Sequence, residues 1–214
     1  MDEEITIINS NTRNEKIKNF FIENKKILIL ISSIVTLSVL IFYSYEIYKN
    51  GQREILANKY NNAIVEYENK KETKIILSMK EIIQNKDKTY SPLALYFLID
   101  NDLITDENEI NNFFDILINK TNLEKEIKNL IIYKKALYNS ESLEENDLIK
   151  MLNPIIMSES IWRSHALYLM GEYFMAAKEN QKAKEFFSQI LTLQNSNNEI
   201  KLEAKKRLNR DLGE

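Results

Sequence analysis

Residues 19–50, NFFIENKKILILISSIVTLSVLIFYSYEIYKN, decide how this chain is organised. No charged residue occurs between Ile27 and Tyr45. That run of about 19 residues matches the roughly 20 that a helix needs to cross a bilayer core of about 30 Å. Ser32, Ser33, Thr36 and Ser38 dilute the Ile, Leu and Val. Their hydroxyls bond back to the carbonyls of their own helix and are tolerated in lipid. Lys25 and Lys26 bound the run on one side, and Glu46, Lys49 and Arg53 on the other. Phe20 and Phe21 precede it, and Phe42, Tyr43, Tyr45 and Tyr48 close it, as expected where rings settle at the headgroup zone. A buried core helix rarely runs so far without charge. A cleaved signal has a shorter apolar stretch and a small-residue cleavage site, which Phe42-Tyr43-Ser44-Tyr45-Glu46-Ile47 does not offer. The expectation is an uncleaved anchor, with residues 1–24 as a cytoplasmic leader, 25–48 as a transmembrane helix and 49–214 as a separate domain.

Orientation follows from the flanking cations. Arg13, Lys16, Lys18, Lys25 and Lys26 precede the span, whereas Lys49, Arg53 and Lys59 follow it. The excess before the span predicts a cytoplasmic amino terminus and an extracytoplasmic domain, which in a bacterium is periplasmic. The absence of cysteine is compatible with an oxidising compartment, and equally with a cytosolic protein. The charge and Asn content of residues 1–19 predict an unordered leader.

Beyond the span, about 165 residues remain, enough for one domain with its own core. With 29 basic and 32 acidic residues the net charge is −3, which provides no electrostatic footprint for nucleic acid. Three Gly and two Pro are too few for the many turns of an all-β fold. The apolar period is helical almost throughout. Ile55, Tyr60, Ile64 and Tyr67 extend the membrane helix outward until a polar break at residues 68–72. Ile75 to Ile83 repeat at helical spacing. Ser91-Pro92 predicts a helix start, and Thr105-Asp106-Glu107 the next cap. Residues 123–138 form another stripe, Pro154 is expected to end the helix before it, and residues 162–177 and 183–193 make the clearest pair. Residues 200–212 read as one charged helix. The fold class expected is all-α: a single N-terminal transmembrane helix followed by an α-solenoid of tetratricopeptide-like helical hairpins.

Paired helices at a period of roughly 34 residues are the sign of tetratricopeptide-type repeats. The closest match is "ALYLMGEYFMAAKENQKAKEFFSQIL". Gly171 stands where two helices approach, Ala183 is small at the crossing, and Phe187 fills the groove between them, a Gly-x11-Ala-x3-Phe spacing. Leu98, Ile110 and Phe114 repeat the spacing without the small residues. An ordinary helical bundle is the competing reading.

The anchor context resembles that of the YfgM-type ancillary subunits of the Sec translocon, in which an Asn-Phe-Phe-x-Glu-Asn-x-Lys stretch directly precedes a single span. Here it is Asn19, Phe20, Phe21, Glu23, Asn24 and Lys26. Downstream, Tyr90-Ser91-x-Leu93-Ala94 opens a repeat and Phe187 closes one. The similarity runs from about Lys16 to Leu208, with its specific part in the anchor; Ser and Thr stand in the span where relatives often carry Gly. The resemblance implies a single-pass inner-membrane protein with a periplasmic repeat domain. It also implies association with Sec translocon subunits and with periplasmic chaperones, including a membrane-anchored peptidyl-prolyl isomerase. The role implied is to help translocated proteins pass from the channel to folding factors, and some relatives are linked to stress regulation on the cytoplasmic side.

Nothing in the sequence argues for an enzyme. His165 is the only histidine, and a lone imidazole on a helix is far more often a packing or surface residue than a base. No clustered metal ligands and no Gly-rich phosphate loop occur, so no cofactor is expected. Glu144-Glu145 and Asp106-Glu107 read as helix starts favoured by the macrodipole. Binding without chemistry is the expectation. Tyr96, Tyr133, Tyr168 and Tyr173 are candidate partner-binding rings on a concave face; filling of the repeat core is the competing reading. Ser32 and Thr36, four apart in the span, are candidates for contact with another membrane helix, against simple tolerance of hydroxyls. A repeat scaffold for envelope assembly or cell division is the alternative function, and an anchored enzyme a further class.

Overall fold

The computed structural model describes residues 15–68 and 72–213, and every regular element among them is helical. Residues 15–23 form α1, followed by α2 (Lys25–Glu68), α3 (Glu72–Gln84), α4 (Tyr90–Asp100) and α5 (Glu107–Lys120). Next come α6 (Lys125–Asn139), α7 (Glu145–Ile156), α8 (Arg163–Ala176), α9 (Asn180–Thr192) and α10 (Asn198–Lys206), which runs into a π-helical turn at Arg207–Asp211. Residues 1–14 of the leader and 69–71 of the expected polar break lie outside the described residues. The chain divides into two compact units, residues 1–55 and 56–214.

In the first unit the leader differs from expectation at residues 15–19, which are helical. Glu15, Lys16 and Lys18 are good helix formers. The ladder passes from α1 into α2 without a gap, through Asn24 N–H to the Phe20 carbonyl at 3.0 Å and Leu28 N–H to the Asn24 carbonyl at 2.9 Å. Helix α2 is long and apolar enough, by length and composition, to cross a membrane. None of its apolar window is buried against the described residues, unlike the core helix of the competing reading. The hydroxyls of Ser33, Thr36 and Ser38 donate to the carbonyls of Ile29, Ser32 and Ile34 at 2.8–2.9 Å, the internal satisfaction that a lipid environment demands.

The second unit begins where α2 acquires neighbours. Ile55 is exposed, whereas Leu56, Tyr60, Ile64 and Tyr67 pack against protein and Ala63 is buried, so the stripe starts one residue later than its spacing suggests. Two apolar cores follow. The first gathers Ile75, Met79, Ile82 and Ile83 of α3, Ala94, Leu95 and Leu98 of α4, and Ile110, Phe113, Phe114 and Leu117 of α5. The second gathers Leu148, Leu152 and Ile155 of α7, Ala166, Leu167, Met170 and Phe174 of α8, and Ala183, Phe187 and Ile190 of α9. Helix α6 serves both: Ile131 belongs to the first and Ala136 to the second. Each helix from α3 to α10 packs on its successor, and α3 also meets α5, α6 meets α8, and α8 meets α10.

Several helix ends depart from the sequence reading. Ser91 does not cap α4, which begins at Tyr90. Asp87 supplies the cap, its Oδ1 accepting from Thr89 N–H and Tyr90 N–H at 2.8 Å. Ser91 is instead fully buried and donates its hydroxyl to the Ile82 carbonyl of α3 at 2.7 Å, pinning the two helices together. Asp106 caps α5 as expected, accepting from Asn108 N–H and Glu109 N–H. Pro154 lies inside α7. It sits so near the end that the turn still closes beyond it, with Met157 N–H bonded to the Asn153 carbonyl at 2.9 Å. The final helix yields to the π-helical turn, around Arg207.

Candidate functional site

Helices α8 and α9 form the tightest pairing, and its cause is one missing side chain. A Cβ built on Gly171 would lie 2.5 Å from Phe187 Cε1 and 2.7 Å from Cζ. The ring of Phe187, fully buried, therefore rests on the α8 backbone, with Ala183 buried one turn before it. Leu98, Ile110 and Phe114, at the same spacing, are all buried in the first core. Lys178, at φ 62°, turns the chain between α8 and α9.

The four candidate tyrosines are half-buried. Tyr96 packs on the first core, and the other three pack on the second. Burial pushes the Tyr96 hydroxyl above its ordinary value, helped by the charge of Asp100. That hydroxyl is buried with no hydrogen-bond partner among the described residues. Lys134 Nζ lies 5.4 Å from the Tyr96 ring centroid, and the two line a small hollow of about 180 Å³ with Phe114 and Tyr138. Tyr173 donates to the Leu143 carbonyl at 3.2 Å, tying α8 to the loop before α7. Tyr168 meets the Phe187 ring at 5.3 Å in a tilted arrangement and receives a hydrogen bond from Arg207 Nε at 3.4 Å. Arg207 in turn grips Glu172 through Nε and Nη2 at 2.7 and 2.9 Å, and Asp211 through Nη1 at 2.9 Å. This clamp holds the π-helical turn onto α8. Arg210, bonded to Asp211 through Nε and Nη2 at 2.7 and 2.9 Å, and then Arg207 keep the Asp211 carboxyl well below the usual carboxylate range.

Tyr133 belongs to an aromatic group. It stacks on Trp162 at 6.2 Å and 17°, and His165 meets Tyr133 at 5.8 Å and Trp162 at 5.1 Å. Burial lowers the His165 pKa from its ordinary value, which favours the neutral imidazole. Its Nδ1 is buried without a hydrogen-bond partner among the described residues. Two contacts fix this corner. Glu126 of α6 accepts from Ser160 Oγ at 2.7 Å and from Ile161 N–H at 3.2 Å, locking the turn that presents Trp162. The Ser164 hydroxyl accepts from Asn197 N–H at 3.3 Å, drawing the loop before α10 alongside α8. Between turn and loop opens a cleft of about 350 Å³, lined by Ile161, Trp162, His165, Asn195, Ser196 and Asn197. The sequence marks His165 only as a packing or surface residue and gives no signal at the Asn-Ser-Asn run; their meeting depends on a fold-back of some thirty residues that periodicity does not encode.

In the span, the Thr36 hydroxyl proton is engaged with the Ser32 carbonyl at 2.9 Å. A neighbouring helix would meet the remaining lone pairs of that hydroxyl. Among the described residues, no cluster of three or more His, Cys, Asp or Glu is placed to hold a metal ion. Comparison with protein families, with characterised proteins and with solved structures finds no match to this chain.

Proposed function

We propose that this protein is a membrane-anchored, non-enzymatic interaction module whose helical domain lies on the periplasmic side of a bacterial inner membrane. There it assists the Sec translocon and the handover of translocated proteins to chaperones. The observation that carries the reading is the 44-residue helix α2. Its apolar part is exposed among the described residues, and its end enters the first core through Ala63, Tyr60 and Ile64. One element thus joins a lipid-compatible segment to a set of packed helices. Packing of successive helices, with α6 on α8 and α8 on α10, supports a tetratricopeptide-like stack, as does the Gly171–Phe187 contact. The cation excess before the span supports a cytoplasmic amino terminus. The Asn-Phe-Phe-x-Glu-Asn-x-Lys context supports the translocon and a membrane-anchored peptidyl-prolyl isomerase as partners.

The test is photocrosslinking of the anchored protein in its own membrane, from probes at positions 47 and 77, whose native side chains, Ile47 and Leu77, are exposed. Channel subunits and periplasmic folding factors are the expected neighbours. Recovery of division or peptidoglycan-assembly proteins alone would shift the reading to an envelope scaffold. Cytosolic neighbours at position 77 would reverse the orientation.

A further inference from the structure

From the cleft between α8 and the loop before α10 we infer a binding site for a neutral saccharide, one or two sugar rings in size. The site goes beyond the interaction role proposed above and does not depend on it.

The chemistry of the lining points to this class. The cleft volume of about 350 Å³ falls at the small end of the range for small-molecule sites, roughly 300–1,000 Å³. None of its six lining residues carries a fixed charge, and burial keeps His165 toward its neutral form. A phosphate, a carboxylate or a strongly cationic ligand would find no counter-charge in that lining. What the lining does provide is an indole next to Ile161, together with a run of amide, hydroxyl and amide at Asn195, Ser196 and Asn197. A sugar ring has matching halves. Its C–H face is apolar and slightly positive, and suits the negative face of an aromatic ring. Its rim of hydroxyls both donates and accepts, and a planar side-chain amide offers an acceptor oxygen and two N–H donors at fixed spacing.

The wall is also built rather than incidental. Tyr133 backs Trp162 in a near-parallel stack, so the indole is held in place before any ligand arrives. Glu126 and Ser160 fix the turn beneath it, and Ser164 anchors the opposite loop at Asn197. The Asn197 Oδ1 is engaged in capping α10, accepting from Glu199 N–H and Ile200 N–H. That leaves its amide N–H groups, with the side chains of Asn195 and Ser196, as the polar groups the lining supplies.

Trp162 is the only tryptophan in the sequence, so its emission reports on this cleft alone. The experiment is a fluorescence titration of the full chain in detergent micelles with maltose, cellobiose and chitobiose, and with a neutral Phe-containing tripeptide as a contrasting probe. At least one disaccharide is expected to give a saturable change with a dissociation constant on the order of 1 mM, a modest affinity for so open a site. Asn195→Ala with Ser196→Ala should weaken it about tenfold or more while leaving the helical circular dichroism and melting temperature unchanged, because neither residue caps a helix. The inference fails if no disaccharide changes the emission up to about a hundred times that concentration. It fails equally if the response survives the double substitution, or if only the tripeptide elicits one.

Discussion

Gly171 has no side chain because Phe187 occupies its place. Gly171→Ala would bring a methyl group to 2.5 Å from a fully buried ring. The gain of about 1 kcal/mol in helix propensity is set against about 1–3 kcal/mol of overpacking, so a net loss of stability is expected. Thermal melts of Gly171→Ala, Phe187→Leu and the double variant check this. The smaller side chain should relieve the strain, giving a coupling energy that opposes the two single effects. His165 makes a second residue-level prediction. Its folded pKa lies below the unfolded value of about 6.5. The unfolded chain therefore binds more protons in the interval between them, and stability rises with pH there. The contribution is complete above about pH 6.5 and is lost as pH falls through the folded value. His165→Phe, placed among Tyr133 and Trp162, should flatten the stability profile on the acid side of pH 6.5, read by chemical denaturation at a series of pH values.

At the scale of elements, caps and the span make separate predictions. Asp106 holds two backbone N–H groups at the start of α5, so Asp106→Ala should cost about 1 kcal/mol. Glu144, at the equivalent position of α7, makes no side-chain cap bond, so Glu144→Ala should change little. Urea denaturation of the two variants side by side distinguishes them. In α2, Ile34→Arg would place a charge among apolar neighbours; membrane insertion should become less favourable by about 2.5–3.5 kcal/mol, seen as loss from the membrane fraction after alkaline extraction. The elements themselves were largely legible, because Ile, Leu and Phe recur at helical spacing between polar breaks. Where the reading slipped, a longer-range partner decided the matter. Ser91 followed by Pro92 looks like a cap, yet the Ile82 carbonyl in α3 claims its hydroxyl. Pro154 looks like a terminator, yet with only two helical residues after it α7 closes across it, through Met157 N–H to the Asn153 carbonyl. The π-helical turn was invisible, because it depends on Glu172 and Tyr168 in α8 rather than on the local sequence. Of the candidate tyrosines, sequence could mark their aromatic character but not that they would divide between two cores.

For the whole molecule, every buried residue described lies at or beyond Ala63. A chain beginning at Lys49 should therefore remain folded without its apolar run. Its far-ultraviolet circular dichroism should stay strongly helical, and it should remain in the supernatant where the full chain pellets with membranes. Helix α6 has a different kind of importance. By giving Ile131 to one core and Ala136 to the other, it is a shared timber between two rooms. Neither half can let go of it without disturbing the other's walls. Heat should accordingly melt residues 56–213 in one step rather than two, and trimming Ile131 should soften the distant α8–α9 end along with its own surroundings.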